Sequence, residues 1–182
     1  MIPPLFRTPK PTIAVLYGAI VAQARDPRFY EAYGVPDTVL GRFDLIVLHL
    51  ALVLRRMREG GATQTLAQGV FDAFCRDMDH NLREMGISDP GVPRQMQKVG
   101  EAFYGRAQAY DAALAACGDD ALAQTLARNV YTQATGMQVA AAQLAAYVRQ
   151  AVERLDAQPL GELARGTVCF PEPELMLTSA AE

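Results

Sequence analysis

The chain contains no tryptophan, two histidines and three cysteines, and its only lysines are Lys10 and Lys98. Cys75, Cys117 and Cys169 are too far apart for a CxxC pair or a zinc-ligand spacing. An odd and scattered set suits a reducing compartment better than a disulfide framework. Long apolar runs are missing too: the most hydrophobic window, Leu45 to Leu54, contains His49 and lies between Asp44 and Arg55. A membrane-crossing helix needs about 20 apolar residues, so this window cannot span. The first eleven residues carry four prolines and no apolar h-region, which predicts neither a signal peptide nor an anchor. Excess positive charge is also lacking, with 17 basic against 20 acidic side chains and a net charge of −3. That balance excludes nucleic-acid binding through bulk charge. Together these absences predict a cytoplasmic protein that reaches the face of a membrane only through a partner.

What is present points to a packed helical domain. A chain of 182 residues that is 51% apolar buries roughly 70% of the surface its unfolded form exposes, enough for one sizeable core. Apolar residues recur at helical spacing while strand-like alternation is absent, so the predicted class is all-α. The expected architecture is a single bundle of about six to seven helices around a central apolar helix at about 38–59. A Pro-rich arm covers 1–11, the helical domain 12–157, and a tail with one short helix 158–182.

Punctuation sets the boundaries. A first helix runs from about Thr12 to Arg25, and Asp26-Pro27 opens a short second one that Gly34 ends. Pro36-Asp37-Thr38 caps the third, which stops at Gly60-Gly61; the fourth runs from about Thr63 to Met85 with Gly86 as its stop. Ser88-Asp89-Pro90 and Pro93 open the fifth, Asp119 and Asp120 the sixth, and Gly136 divides the sixth from a seventh that reaches about Ala157.

The third helix is apolar nearly all round, and its polar exceptions Arg42, His49 and Arg56 fall seven residues apart on one stripe. Two readings stay open there: a seam that pairs with acidic side chains of a neighbour, or a basic slot for a carboxylate or phosphate. Gly18, Gly41, Gly69, Gly100 and Gly105 interrupt helices where alanine is better by about 1 kcal/mol, which predicts close helix crossings.

Catalytic patterns fail on inspection. Asp77, His80 and Glu84 share a helix face, but a di-metal carboxylate bundle needs a second Glu-x-x-His, and Ile46 stands three residues before His49. Cys75 and His80 lie on different faces, so no base activates a thiol. An isoprenoid synthase needs aspartates one turn apart, and no two aspartates here stand at i, i+4. No metal site, cofactor or catalytic residue is expected.

Several compact segments go beyond core packing: Gln23-Ala24-Arg25, Gly34-Val35-Pro36-Asp37-Thr38, Gly41-Arg42-Phe43, Leu82-Arg83-Glu84-Met85-Gly86, and Ala102-Phe103-Tyr104-Gly105-Arg106 with Ala109-Tyr110-Asp111. In these the chain resembles the ubiquinol-cytochrome c chaperone family, over somewhat more than half its length and not beyond Gly118. The resemblance implies an all-helical, non-catalytic assembly factor that binds newly made cytochrome b, with a second assembly factor and a ribosome contact in the mitochondrial case. No basic tail accompanies a ribosome role here, so that contact is not carried over.

A holder of apolar segments needs an exposed apolar or aromatic groove rimmed by polar groups. The expected client-binding residues are Arg83, Glu84, Met85, Phe103, Tyr104, Arg106, Tyr110 and Asp111, around the connection between the fourth and fifth helices. The competing expectation for the polar members is that they cap and staple these helices to their neighbours. A different class of function, a small-ligand binder for a quinone, an isoprenoid or haem, rests on the helix glycines and the Arg42-His49-Arg56 stripe.

Overall fold

The computed structural model describes residues 10–174 except 59, 61, 62, 119 and 133–135. Among them are eight helices and no strand: α1 (Lys10–Ala24), α2 (Pro27–Glu31), α3 (Val39–Arg58), α4 (Gln64–Glu84), α5 (Val92–Ala115), α6 (Asp120–Val130), α7 (Gln138–Ala157) and α8 (Leu160–Ala164). The all-α expectation holds, with α3 at the centre. The expected proline-rich arm lies outside the described residues except for Lys10 and Pro11, which open α1.

The helix ends follow from local chemistry. The Asp26 carboxylate accepts the Arg28 backbone N–H at 3.0 Å and Pro27 occupies the first turn, which starts α2 in spite of its five-residue length. Thr38 Oγ1 accepts the Gly41 N–H at 3.1 Å at the start of α3. At the end of α4 the Gly86 and Ile87 N–H groups bond back to the Arg83 and Leu82 carbonyls at 3.0 and 3.1 Å, a closure that needs the left-handed φ of +83° at Gly86.

Every residue of α3 from Asp44 to Val53 is buried. A helix can be that apolar only if neighbours surround it, and α3 packs against α1, α4, α5, α6 and α7. Leu16, Ile20 and Ala24 supply the inward stripe of α1, and Val70, Phe74 and Met78 that of α4. Phe71, Phe74, Phe103 and Tyr104 form one aromatic cluster between α4 and α5, with ring centroids 5.0 to 6.0 Å apart. Its geometry adds to the area it buries.

The helix glycines do not share one purpose. A Cβ on Gly69 would come within 2.4 Å of the Ile13 side chain, so this glycine does permit the α1–α4 crossing. A Cβ on Gly41 would meet the Pro36 carbonyl oxygen at 2.0 Å, a constraint from the preceding turn and not from another helix. Gly18, Gly100 and Gly105 have nothing within 4 Å of that position, which corrects the expectation of close crossings there.

The segment expected as a tail is seated on the bundle as far as Glu174. Gln158 is buried and its amide bonds Thr167 O at 3.1 Å and accepts the Cys169 N–H at 3.1 Å, folding the chain back after α8. Gln23 of α1 donates to Pro171 O at 3.1 Å, and the Glu174 N–H reaches the Tyr33 hydroxyl at 3.2 Å. Phe170 sets its ring edge-on to His49, 5.2 Å between centroids.

Candidate functional site

The Arg42-His49-Arg56 stripe is neither an acidic seam nor a slot. Arg42 bonds Asp37, just ahead of its own helix, at 2.7 Å in solvent. Arg56 donates to the Leu155 and Gln158 carbonyls at 2.8 and 3.1 Å, closing the end of α7. His49 is fully buried: Nδ1 donates to Leu45 O at 2.8 Å, so Nε2 accepts from the Tyr147 hydroxyl at 2.9 Å, which in turn accepts from Gln23 at 3.0 Å. Burial pushes its pKa down to about 4, so the ring is neutral. Nothing at the stripe favours a quinone, isoprenoid or haem site.

The residues expected to meet a client divide between core, staples and one groove. Phe103 and Tyr110 face the interior of α5 and are buried, because an α5 stripe that seals the bundle cannot also reach a partner at the surface. Burial raises the Tyr110 phenol well above its usual range. Arg106, the arginine without a local acid in the sequence, has a long-range one: it forms an ion pair with Asp44 of α3 at 2.7 Å and lies 5.6 Å from the centre of the Phe43 ring. Burial pushes the Asp44 carboxyl up to about 7, with Arg106 opposing that rise. Asp111 ties α5 to Arg58 of α3 at 2.6 Å, and Arg83 holds Asp79 at 2.8 Å together with Asp89 of the α4–α5 connection. Arg106 and Asp111 thus join α5 to α3, and Arg83 joins α4 to the connection that follows it.

Glu84, Met85 and Tyr104 are exposed. Tyr104 is the exposed edge of the aromatic cluster, tilted against Phe71, and Glu84 reaches His80 at 3.1 Å. Glu84 and Met85 line an open groove of about 610 Å³ whose walls are otherwise mostly apolar: Val39, Leu40, Phe43 and Ile46 from α3, Met78 and Leu82 from α4, and Val99 from α5. Asn81, Arg25 and Arg42 complete its rim. Val39 is 70% exposed, Leu40 41% and Met85 62%, large apolar side chains that the described residues leave open. Volume and lining suit the apolar stripe of a helix better than a small polar molecule.

Of the residues expected to meet a client only Glu84 and Met85 line this groove, and Val39, Leu40, Phe43, Ile46, Met78, Leu82 and Val99 were not among them. A signal existed: α3 opens on Val39 and Leu40, two large apolar side chains in the first turn of the helix, ahead of the stretch that its neighbours enclose.

The comparisons with known proteins bear on the same segments. The sequence profile described as "Ubiquinol-cytochrome C chaperone" matches residues 31–170. The chain belongs to the ubiquinol-cytochrome c chaperone family. A relative in Xenopus laevis, ubiquinol-cytochrome-c reductase complex assembly factor 1, is 28% identical over 142 residues, covering 78% of this chain and 70% of that protein. The crystal structure of the Cbp3 homolog from Brucella abortus superposes with a TM-score of 0.82 at 42% identity, over 90% of both chains. The chaperone-family match extends past Gly118, where the recognisable motifs stop, to the strap that closes over His49. The groove is built from three of the resembling segments, Gln23-Ala24-Arg25, Gly41-Arg42-Phe43 and Leu82–Gly86, which the fold brings together from α1, α3 and α4.

Proposed function

We propose that this chain is a non-catalytic assembly chaperone for ubiquinol-cytochrome c reductase, and that it holds an apolar segment of newly made cytochrome b in the α3–α4–α5 groove. Family membership supports the role, and the uncovered apolar wall of Val39, Leu40 and Met85 is the observation that carries the mechanism. An apolar segment waiting for the membrane is prone to aggregate. A groove of matching chemistry shields it, and release costs no covalent step.

No described helix is long and apolar enough to cross a membrane, and in this reading the protein meets the bilayer through its client. The proposed place of action is the cytoplasmic face of the membrane, with a second assembly factor free to use the remaining surface. Deleting the gene in its native cell is expected to lower the reductase and its b-type haem absorbance while other respiratory complexes are unchanged. Wild-type protein restores both, and Leu40→Asp does not. Reductase at normal levels in the deletion strain overturns the proposal.

A further inference from the structure

On the rim of the groove Arg42 is bonded to Asp37 at 2.7 Å. Arg25 differs. It follows the last residue of α1, is exposed, and has no carboxylate partner among the described residues. It lines the apolar groove and also a second depression of about 500 Å³ formed with Pro27, Tyr30, Glu31, Asp37 and Arg42. The boundary between the two depressions therefore carries one uncompensated guanidinium beside an apolar wall.

We infer that Arg25 is a specificity-determining residue, and that the occupant of the groove is a helical protein segment with a carboxylate bordering its apolar stripe. The inference rests on the groove being the client seat. A helix that places its apolar side chains against Leu40, Phe43 and Leu82 brings the flank of its stripe to the rim, where an Asp or Glu side chain meets Arg25 in a partly desolvated fork. An anionic bilayer is the other surface with apolar and negative character. It fits less well, because the chain has a net charge of −3 and Glu31, Asp37 and Glu84 stand on the same rims. A single carboxylate can find Arg25 among those acids, whereas an extended negative surface is repelled by them.

The test uses overlapping synthetic peptides that cover the subunits of ubiquinol-cytochrome c reductase, each acidic peptide paired with a twin in which the acid is replaced by its amide. Binding to the full chain is read by fluorescence anisotropy for wild type, Arg25→Glu, Arg25→Lys and Leu40→Asp, after circular dichroism has shown that each variant is folded. The expected result is that captured peptides carry the acid, that the amide twin and Arg25→Glu each weaken binding about fivefold or more, and that Arg25→Lys retains most of the preference. With Arg25→Glu the amide exchange should no longer weaken binding and should instead improve it, because two carboxylates then face each other. Capture that needs Leu40 but ignores both Arg25 and the acid overturns this inference and leaves the groove as client seat. Capture that ignores Leu40, or no capture by wild type, removes the groove reading and this inference with it. Arg25-dependent sedimentation with phosphatidylglycerol vesicles, with no effect on peptides, assigns the arginine to lipid and also overturns it.

Discussion

The two halves of α3 are made of the same residue types and behave in opposite ways. From Asp44 onward its leucines and valines are enclosed by five helices, while Val39 and Leu40, one or two turns earlier, face solvent along the groove. The enclosed half is where the free energy of folding is concentrated. The open half contributes little to it, so its apolar character has to be explained by something outside the chain. The largest expected effect measures the enclosed half. Leu45→Ala is expected to cost roughly 2–5 kcal/mol in urea unfolding, because a fully buried leucine leaves both lost transfer energy and a cavity.

Next in size is a pH effect in that half. His49 has a folded pKa of about 4 against an ordinary 6.5, so the unfolded chain binds more protons between those values. Its stabilisation is complete above about pH 6.5 and is lost as pH falls toward 4, a loss on the order of 3 kcal/mol. Asp44 works with the opposite sign: its carboxyl is raised to about 7, so its contribution is present below about pH 4 and is lost as pH rises through 7. Denaturant melts of Asp44→Asn across pH 4 to 7 should therefore show the His49 slope alone. His49→Gln should abolish the acid-side slope.

At the junction of the halves, Gly41→Ala is expected to cost about 1–3 kcal/mol in thermal unfolding, because the new Cβ meets a backbone oxygen that cannot swing aside. Gly100→Ala and Gly105→Ala meet only open space and should each stabilise by roughly 0.5–1 kcal/mol in the same assay. The smallest change in stability is expected in the open half. Leu40→Asp should shift unfolding by no more than about 0.5 kcal/mol. If it instead destabilises like Leu45→Ala, the contrast between the halves collapses.

The fold was legible because helix periodicity, caps and glycine stops are local features. The expected breaks at Gly34, Gly86 and Gly136 all coincide with left-handed glycines. What escaped is long-range. Nothing near Arg106 in the chain announces Asp44, 62 positions earlier, and nothing near His49 announces Tyr147 or Phe170. The residues for the groove were found only in part for a related reason. Glu84 and Met85 lie in a compact motif, but Leu40 and Val99 become neighbours only after α3 and α5 pack. The segment from Gln158 read as a tail with one short helix, which is α8, and the prolines gave no sign that the rest is seated on the bundle. Its order comes from side-chain amides, Gln158 and Gln23, which bond backbone groups that have no helical partners.

The strap that runs from Gln158 to Glu174 also sets an order of events at synthesis. Every residue lining the apolar groove lies between Arg25 and Val99, whereas the wall around His49 needs Tyr147 and Phe170. Every groove residue is thus translated before the last cover of the central helix, which waits for Tyr147 and Phe170. Adding that cover closes the face around His49 and leaves the groove open.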